Sequence, residues 1–390
     1  MVVLFWIGVF VIVYTFIGYG LILFLLVTLK RLVKKPSKFI TDVELPKVTI
    51  LIAAYNEEAL IEEKIENTLA LDYPKKKIQI IIITDGSTDQ TALKVSRFKE
   101  VFSLHNLERA GKMAAIKRAM PFVDGQVILF TDANTFLNKI AVKELVKHYQ
   151  NEKVGAVAGE KRIHVGQAAD ASSAGEGFYW KYESLLKKWD YELYSNVGAA
   201  GELFSIRTEL YEPIESDTII DDHMIAMRIA ERGFIIAYEP EAYAIETASE
   251  NAGEELKRKI RIAAGGIQSI LRLKKAANPL NYPLLTFQYI SHRVLRWTIT
   301  PILIILVFIT NGVIVLKTNE LLYLVLFSSQ LLFYLLGVAG YYFENRSIRI
   351  KALFIPFYFC MMNYAVIAGM LRYVRNNQSA AWEKSRRKGS

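Results

Sequence analysis

Cysteine is nearly missing from this chain. The only one, Cys360, falls in an apolar stretch, which excludes an intrachain disulfide and disfavours a cysteine-based metal site. Charge is missing from the interior of four long apolar stretches, at 4–29, 298–316, 321–343 and 352–371. A transporter commonly keeps an ionisable residue deep in such a stretch, so this class is disfavoured. A small-residue cleavage site is also lacking after the first stretch, LFWIGVFVIVYTFIGYGLILFLLVTL. That stretch is long enough to cross a hydrocarbon core of about 30 Å with some tilt, and a retained membrane anchor is expected.

The 52% of hydrophobic residues exceeds the roughly 45–50% usual for a soluble domain, and the excess lies in those stretches. The net charge of +9 invites a nucleic-acid reading. Its cations, however, cluster beside the apolar spans: Lys30, Arg31, Lys34, Lys35 and Lys38 after the first, then Arg372, Arg375, Lys384, Arg386, Arg387 and Lys388 after the last. Such flanks mark the cytoplasmic side and attract anionic headgroups. Membrane lipids are therefore expected as partners, and nucleic acid is not. The chain divides into a membrane helix at 1–32, an extramembrane α/β domain at 46–275, interfacial and membrane helices at 280–375, and a basic tail at 376–390. A multi-pass protein of the cell membrane with its large domain in the cytoplasm is expected. Three full C-terminal crossings would put the basic tail outside, against the positive-inside tendency. One stretch is therefore expected not to cross. The candidates are the one approached by HRVLRW (292–297), which reads as interfacial, and the last, with Pro356 and Asn363.

The extramembrane part alternates strands and helices. VTILIAAYNEE (48–58) is a strand ending in a polar turn with Asn56 and Glu57. IQIIIITDGSTDQT (78–91) is a β-branched run ending at Asp85, and VILFTDANTF (127–136) ends at Asp132 and Asn134. This alternation predicts a parallel, doubly wound sheet whose strand ends gather Glu57, Asp85 and Asp132 along one edge, where ligands bind in such sheets. Each residue has an ordinary reading by itself: Asp85 as a helix N-cap, Asp132 as a turn acid, Lys112 as a solvated helix cation. Their joint occurrence points elsewhere. Acids crowded on one edge need a positive or hydrogen-bonding ligand, and a nucleotide with a divalent ion is one. Asp132 and Asn134 supply oxygen ligands at i and i+2 for a hard cation bridging a diphosphate, and Asp85 could accept from a base N–H. In RAGKMAAIKRAM (109–120), Arg109 and Lys112 stand on a glycine turn before a helix, where a phosphate-facing cation belongs.

These segments resemble glycosyltransferase family 2, in particular its membrane-integrated branch with hyaluronan, chitin and poly-N-acetylglucosamine synthases. The resemblance covers about 46–275. It implies a GT-A fold, a Rossmann-like mixed sheet with flanking helices, here accompanied by transmembrane helices. It implies inverting transfer from a UDP-sugar with Mg²⁺ or Mn²⁺. A-Y-N-E and D-G-S-T-D would hold the nucleotide, which implies Ala54, Tyr55, Glu57 and Asp85 here, joined by Lys112 of the G-K turn. TDAN resembles the D-x-D metal motif, implying Asp132 and Asn134 as metal ligands and Ala133 beside the donor. Asn134 in place of the second Asp keeps an oxygen but drops a charge.

TIIDDHMIAMRIAERGF (218–234) is similar to the family's acid pair before an amphipathic helix. Asp222 then falls at the general-base position, with Asp221 placing the acceptor or tuning its neighbour. The ordinary alternative is a first-turn pair favoured by the helix dipole. GAAGELFSIR (198–207) resembles the acceptor loop, implying Glu202 in the acceptor cleft. GEGFYWKYESLLKKWDYEL (175–193) carries Trp180, Tyr182 and Trp189, aromatic faces that suit either a sugar, with Trp180 toward the acceptor, or packing at a core or membrane interface. Processive members carry Q-x-x-R-W where this chain has Arg258, Arg261 and Ile262. The two arginines could clamp a diphosphate, but the aromatic floor for a growing polymer is absent.

The expected function is a membrane-bound inverting glycosyltransferase acting on a growing polysaccharide or glycolipid at the cytoplasmic face. Its alternative adds a single sugar to a lipid-linked acceptor. A non-catalytic scaffold is disfavoured by Asp132, Asp222 and Arg261 occurring together.

Overall fold

The computed structural model describes residues 1–33, 40, 44–164, 171–247, 251–344, 346, 348 and 350–375, with side chains not described at 164 and 171–179. Lys34, Lys35, Lys38 and the tail 376–390 lie outside the described residues. In chain order the elements are helix α1 (Val2–Val33), β1 (Val48–Ala54), α2 (Ile61–Leu69), β2 (Ile78–Asp85), α3 (Thr91–Val95), β3 (Phe102–Asn106), α4 (Lys112–Ala119), β4 (Val127–Phe130), β5 (Thr135–Leu137), α5 (Ala141–Val146), β6 (Val154–His164), α6 (Ala171–Leu193), β7 (Phe204–Arg207), α7 (Asp221–Ala230), β8 (Ile235–Thr247), α8 (Ala252–Arg272), α9 (Pro283–Tyr289), α10 (Ile299–Thr318), α11 (Leu321–Glu344) and α12 (Lys351–Val374).

The strands form one sheet in the order β3-β2-β1-β4-β7-β6-β8-β5. Alternate residues of β1 serve opposite faces. Ile50 and Ile52 pack with Ile61 and Ile65 of α2, while Leu51 joins Ile81, Ile83, Ile128 and Phe130 over α4 and α7. This double covering is why the isoleucine run shows no polar alternation. Strands β3, β2, β1 and β4 are parallel, which brings the ends of β1, β2 and β4 to one edge. Strand–helix alternation by itself predicts a parallel sheet and the family resemblance a mixed one; the sheet is mixed, with β7 antiparallel to both β4 and β6 and β5 antiparallel to β8. A parallel return from β6 would need a crossover covering the sheet. Instead α6 packs on α1, with the Tyr182 hydroxyl donating to Phe16 O at 2.8 Å and Trp189 lying 5.4 Å from Phe24. The chain therefore re-enters the sheet at the end from which it left.

Among the described residues four helices, α1, α10, α11 and α12, are long and apolar enough to cross a membrane. At one end Phe5 of α1 packs with Val307, Ile314 and Tyr323. At the other, Arg31 pairs with Glu192 at 2.6 Å, tying the end of α1 to the extramembrane domain. HRVLRW, read from its sequence as interfacial, turns its cations inward. His292 lies between Asp190 (2.5 Å from Nδ1) and Glu183 (3.0 Å from Nε2), and Arg293 and Arg296 also reach Glu183. The C-terminal half of α12 rests on α8. A Cβ on Gly369 would sit 2.6 Å from Ala263 Cβ and 2.8 Å from Ile260 O, so only glycine permits this approach.

Candidate active site

The turn after β2 begins the site. Gly86 has φ +69, and a Cβ there would stand 2.6 Å from Arg109 N, so a residue without a side chain lets the two turns close. Asp85 does not cap α3, because Asp89 accepts from Thr91 N at 3.0 Å. Asp85 instead accepts from the N–H groups of Ala110 (3.0 Å) and Gly111 (2.6 Å) and from Arg118 (2.5 Å). It thereby shapes the turn that launches Lys112. Its expected contact with a base N–H meets a carboxylate already engaged by protein donors.

A cavity of about 1120 Å³ opens at this edge of the sheet. Lys112 Nζ lies 3.0 Å from Asp132 Oδ1 and 3.3 Å from Asp221 Oδ2. Gly201 closes the group: a Cβ there would lie 3.4 Å from Lys112 Nζ and 3.5 Å from both Asp132 Oδ2 and Asp222 Oδ2. The structure therefore brings Lys112, Asp132, Asp221 and Asp222 together. Glu202, Trp180, Arg258 and Arg261 line the same cavity. Ala54, Tyr55, Glu57, Asp85, Ala133 and Asn134 do not line it. Tyr55 adjoins it through Arg109, whose guanidinium stacks 3.8 Å over the Tyr55 ring. Asn134 is buried, and among the described residues its Oδ1 has no hydrogen-bond partner.

Electrostatics separate the roles. Burial would lower Lys112, but Asp132, Asp221 and Asp222 together hold it protonated well above its ordinary value. Burial raises Asp132, with Lys112 opposing. Asp222 is pushed up to about 7, by burial first and then by the charge of Asp221. A carboxyl poised near neutrality at a helix start, its Oδ1 accepting from His223 N at 2.8 Å, suits a general base. Lys64 of α2 is fully enclosed, and burial pulls its ammonium down to about 7.

Several lining residues gave no motif in the sequence. Lys161 pairs with Glu202 and Glu246, so Glu202 reaches the cavity as part of a buried ion network, its carboxyl held well below the usual range by Lys161 against the pull of burial. Arg258 is bonded to Glu255 one turn earlier, at 2.8 Å, while Arg261 donates to Ile219 O at 3.2 Å. Trp297, Arg293 and, from α12, Met362, Ala365, Val366 and Arg372 supply a wall from the membrane-helix region. The aromatic stripe of α6 divides: Trp180 faces the cavity, whereas Tyr182 and Trp189 pack on α1.

The sequence model of glycosyl transferase family 2 matches residues 49–213. This stretch holds the three strand-end turns and the Lys112 turn just described. The chain carries a glycosyltransferase family 2 domain. It is 31% identical over 249 residues to poly-beta-1,6-N-acetyl-D-glucosamine synthase of Staphylococcus aureus, covering 61% of this chain and 58% of that protein. It is 27% identical over 245 residues to the probable glycosyltransferase YdaM of Bacillus subtilis, covering 59% and 57%. The chain thus spans less than two thirds of the length of these curated relatives. Among solved structures it is similar to the mannosyltransferase PcManGT from Pyrobaculum calidifontis, solved with GDP-Man and Mn²⁺, with a TM-score of 0.73, 22% identity, and coverage of 96% of this chain and 100% of that one. That likeness concerns the fold, a mixed sheet with flanking helices of the GT-A type. The domain is thus related to polysaccharide synthases.

Proposed function

We propose that this protein is a membrane-bound inverting glycosyltransferase that moves a sugar from a UDP-sugar to an acceptor hydroxyl, with Asp222 as general base. The observation that carries the reading is that Asp132 and the Asp221–Asp222 pair face one cavity, with Lys112 paired to both Asp132 and Asp221. The acceptor oxygen forms its bond to the anomeric carbon as the bond from that carbon to the diphosphate oxygen breaks. The hydroxyl proton passes to Asp222, and the nucleoside diphosphate leaves. Lys112 and Arg261, with Arg258 behind, offset charge growing on the diphosphate. Tyr55 and Asp85 serve the nucleotide through the cavity-lining turn, Tyr55 by stacking under Arg109 and Asp85 by bonding Ala110 and Gly111, whereas Ala54, Glu57 and Ala133, expected at the donor, stand behind the lining. Asp221, Glu202 and Trp180 border the acceptor.

Asp132 and Asn134 fit a divalent ion such as Mg²⁺ or Mn²⁺. Both offer oxygen, which hard cations select, and among the described residues the buried Asn134 Oδ1 lacks a hydrogen-bond partner. Such an ion supplies positive charge to the leaving diphosphate.

The acceptor is a growing polysaccharide or a glycolipid. A single-sugar transfer to a lipid-linked acceptor is favoured by one observation: apolar Met362, Ala365 and Val366 of α12 wall the cavity beside Ile262, where a polymer-synthesising member has tryptophan. The same contact supports α12 as the stretch that does not cross. With α10 and α11 as a crossing pair, the C-terminal end of α12 is on the side of the domain, and the basic flanks support the cytoplasm as that side.

The test is purified full-length protein with UDP- and GDP-sugars, Mg²⁺ or Mn²⁺ and native membranes, reading nucleoside diphosphate release and labelled product by mass spectrometry. Release with a UDP-sugar is expected. Nucleotide binding without release from any donor would identify a scaffold instead.

A further inference from the structure

Lys64 occupies a position where an apolar residue would serve the core better. On α2 the inward stripe is Ile61, Lys64, Ile65 and Thr68, at the spacing of one helix face. Its side chain is 0% exposed, and among the described residues no acid lies within ion-pair distance of its ammonium. Burying such a group is costly, and a well-packed apolar replacement is often neutral or stabilising. The ammonium therefore does something that packing alone does not require.

Its hydrogen bonds show what that is. Lys64 Nζ donates to Thr131 Oγ1 at 2.9 Å and to the carbonyl of Thr135 at 2.6 Å, the residues just before and after the Asp132–Asn134 segment. Thr131 Oγ1 in turn donates to the carbonyl of Glu202 at 2.9 Å, in the loop that brings Gly201 against Lys112, Asp132 and Asp222. The Thr135 hydroxyl donates to the carbonyl of Asp132 at 3.0 Å. One ammonium thus pins both ends of the Asp132 segment and, through Thr131, the loop facing it.

We propose that Lys64 is a positioning residue for the nucleotide-sugar site, clamping the 131–135 segment to the 201–202 loop so that Asp132 and Asn134 are presented to the ligand. This rests on the glycosyltransferase reading above. Burial that brings its ammonium near neutrality agrees with a group retained against its own desolvation.

The test uses full-length protein in detergent, with UDP and Mn²⁺ as probes, and compares wild type, Lys64→Met and Lys64→Gln. Melting temperature, UDP affinity and the Mn²⁺ concentration for half-maximal UDP binding are measured. For Lys64→Met we expect a melting temperature within a few degrees of wild type, with UDP affinity at least about tenfold weaker and the Mn²⁺ midpoint raised. Lys64→Gln, which keeps an N–H donor, recovers part of the affinity. Unchanged UDP affinity and Mn²⁺ midpoint in Lys64→Met would overturn the proposal. So would a fall in melting temperature in both variants with unaltered affinity in the folded fraction, since that marks a purely structural residue. Failure of the wild type to bind UDP or GDP at all would instead count against the glycosyltransferase reading.

Discussion

Lys112 Nζ lies 3.0 Å from Asp132 Oδ1, and the same ammonium stands 3.3 Å from Asp221. One cation therefore joins the acid at the end of β4 to the acid pair opening α7, two groups some ninety positions apart in the chain. Nucleotide on one side and acceptor on the other would meet across it, which makes the individual contributions separable by substitution.

Asp132→Ala is expected to weaken UDP binding in the presence of Mn²⁺ by at least about tenfold and to flatten its response to the ion, as loss of a charged oxygen ligand requires. Calorimetric titration of UDP with and without Mn²⁺ checks this. Unchanged affinity and ion response would refute a ligand role for Asp132.

Asp222→Asn keeps shape and removes the proton acceptor. Transfer should fall by two to four orders of magnitude, on the order of the usual general-base contribution, while UDP affinity stays within a few-fold. Equal losses in transfer and UDP affinity would mean that Asp222 belongs to the donor side.

The pH dependence follows from the raised carboxyl. Asp222 ionises near 7 because burial, then Asp221, disfavours its charge. A base must be unprotonated, so kcat should climb with pH through about 7 and level above it. Asp221→Asn removes the second cause, so the rise should move to lower pH. A profile that stays put in this variant would show that Asp221 does not tune its neighbour.

Gly369→Leu tests the link between α12 and the site. Its side chain would enter space held by Ala263 and the Ile260 carbonyl, on the helix that carries Arg261. Overpacking of this kind costs about 1–3 kcal/mol. A lower melting temperature together with reduced transfer is expected, whereas a stable and fully active variant would show that α12 is not seated on α8 during the reaction.

Much of the site could be read from local pattern. Asp85 ends β2, Asp132 closely follows β4 and Asp222 stands in the first turn of α7, elements whose hydrophobic period is plain, and the turn before Lys112 is marked by Gly111. The cavity-lining Lys161, Arg293, Trp297 and Met362 were not legible, because each is an ordinary residue in its own segment. Their part in the site arises from pairing or packing across tens to hundreds of positions. The role of Asp85 was also hidden: capping, ligand binding and bonding to a distant turn all ask for the same carboxylate at a strand end.

By itself the sequence determined the apolar spans, the strand–helix alternation and the chemical types of the acids at the sheet edge, since these depend on periodicity and on what each side chain can do. Tertiary structure alone decided that β7 runs antiparallel, that Lys112 is shared between Asp132 and Asp221, that HRVLRW turns inward to Glu183 and Asp190, and that α12 walls the cavity. Those outcomes depend on which distant surfaces meet, and the free energy of burying one against another belongs to the pair and is written in neither segment.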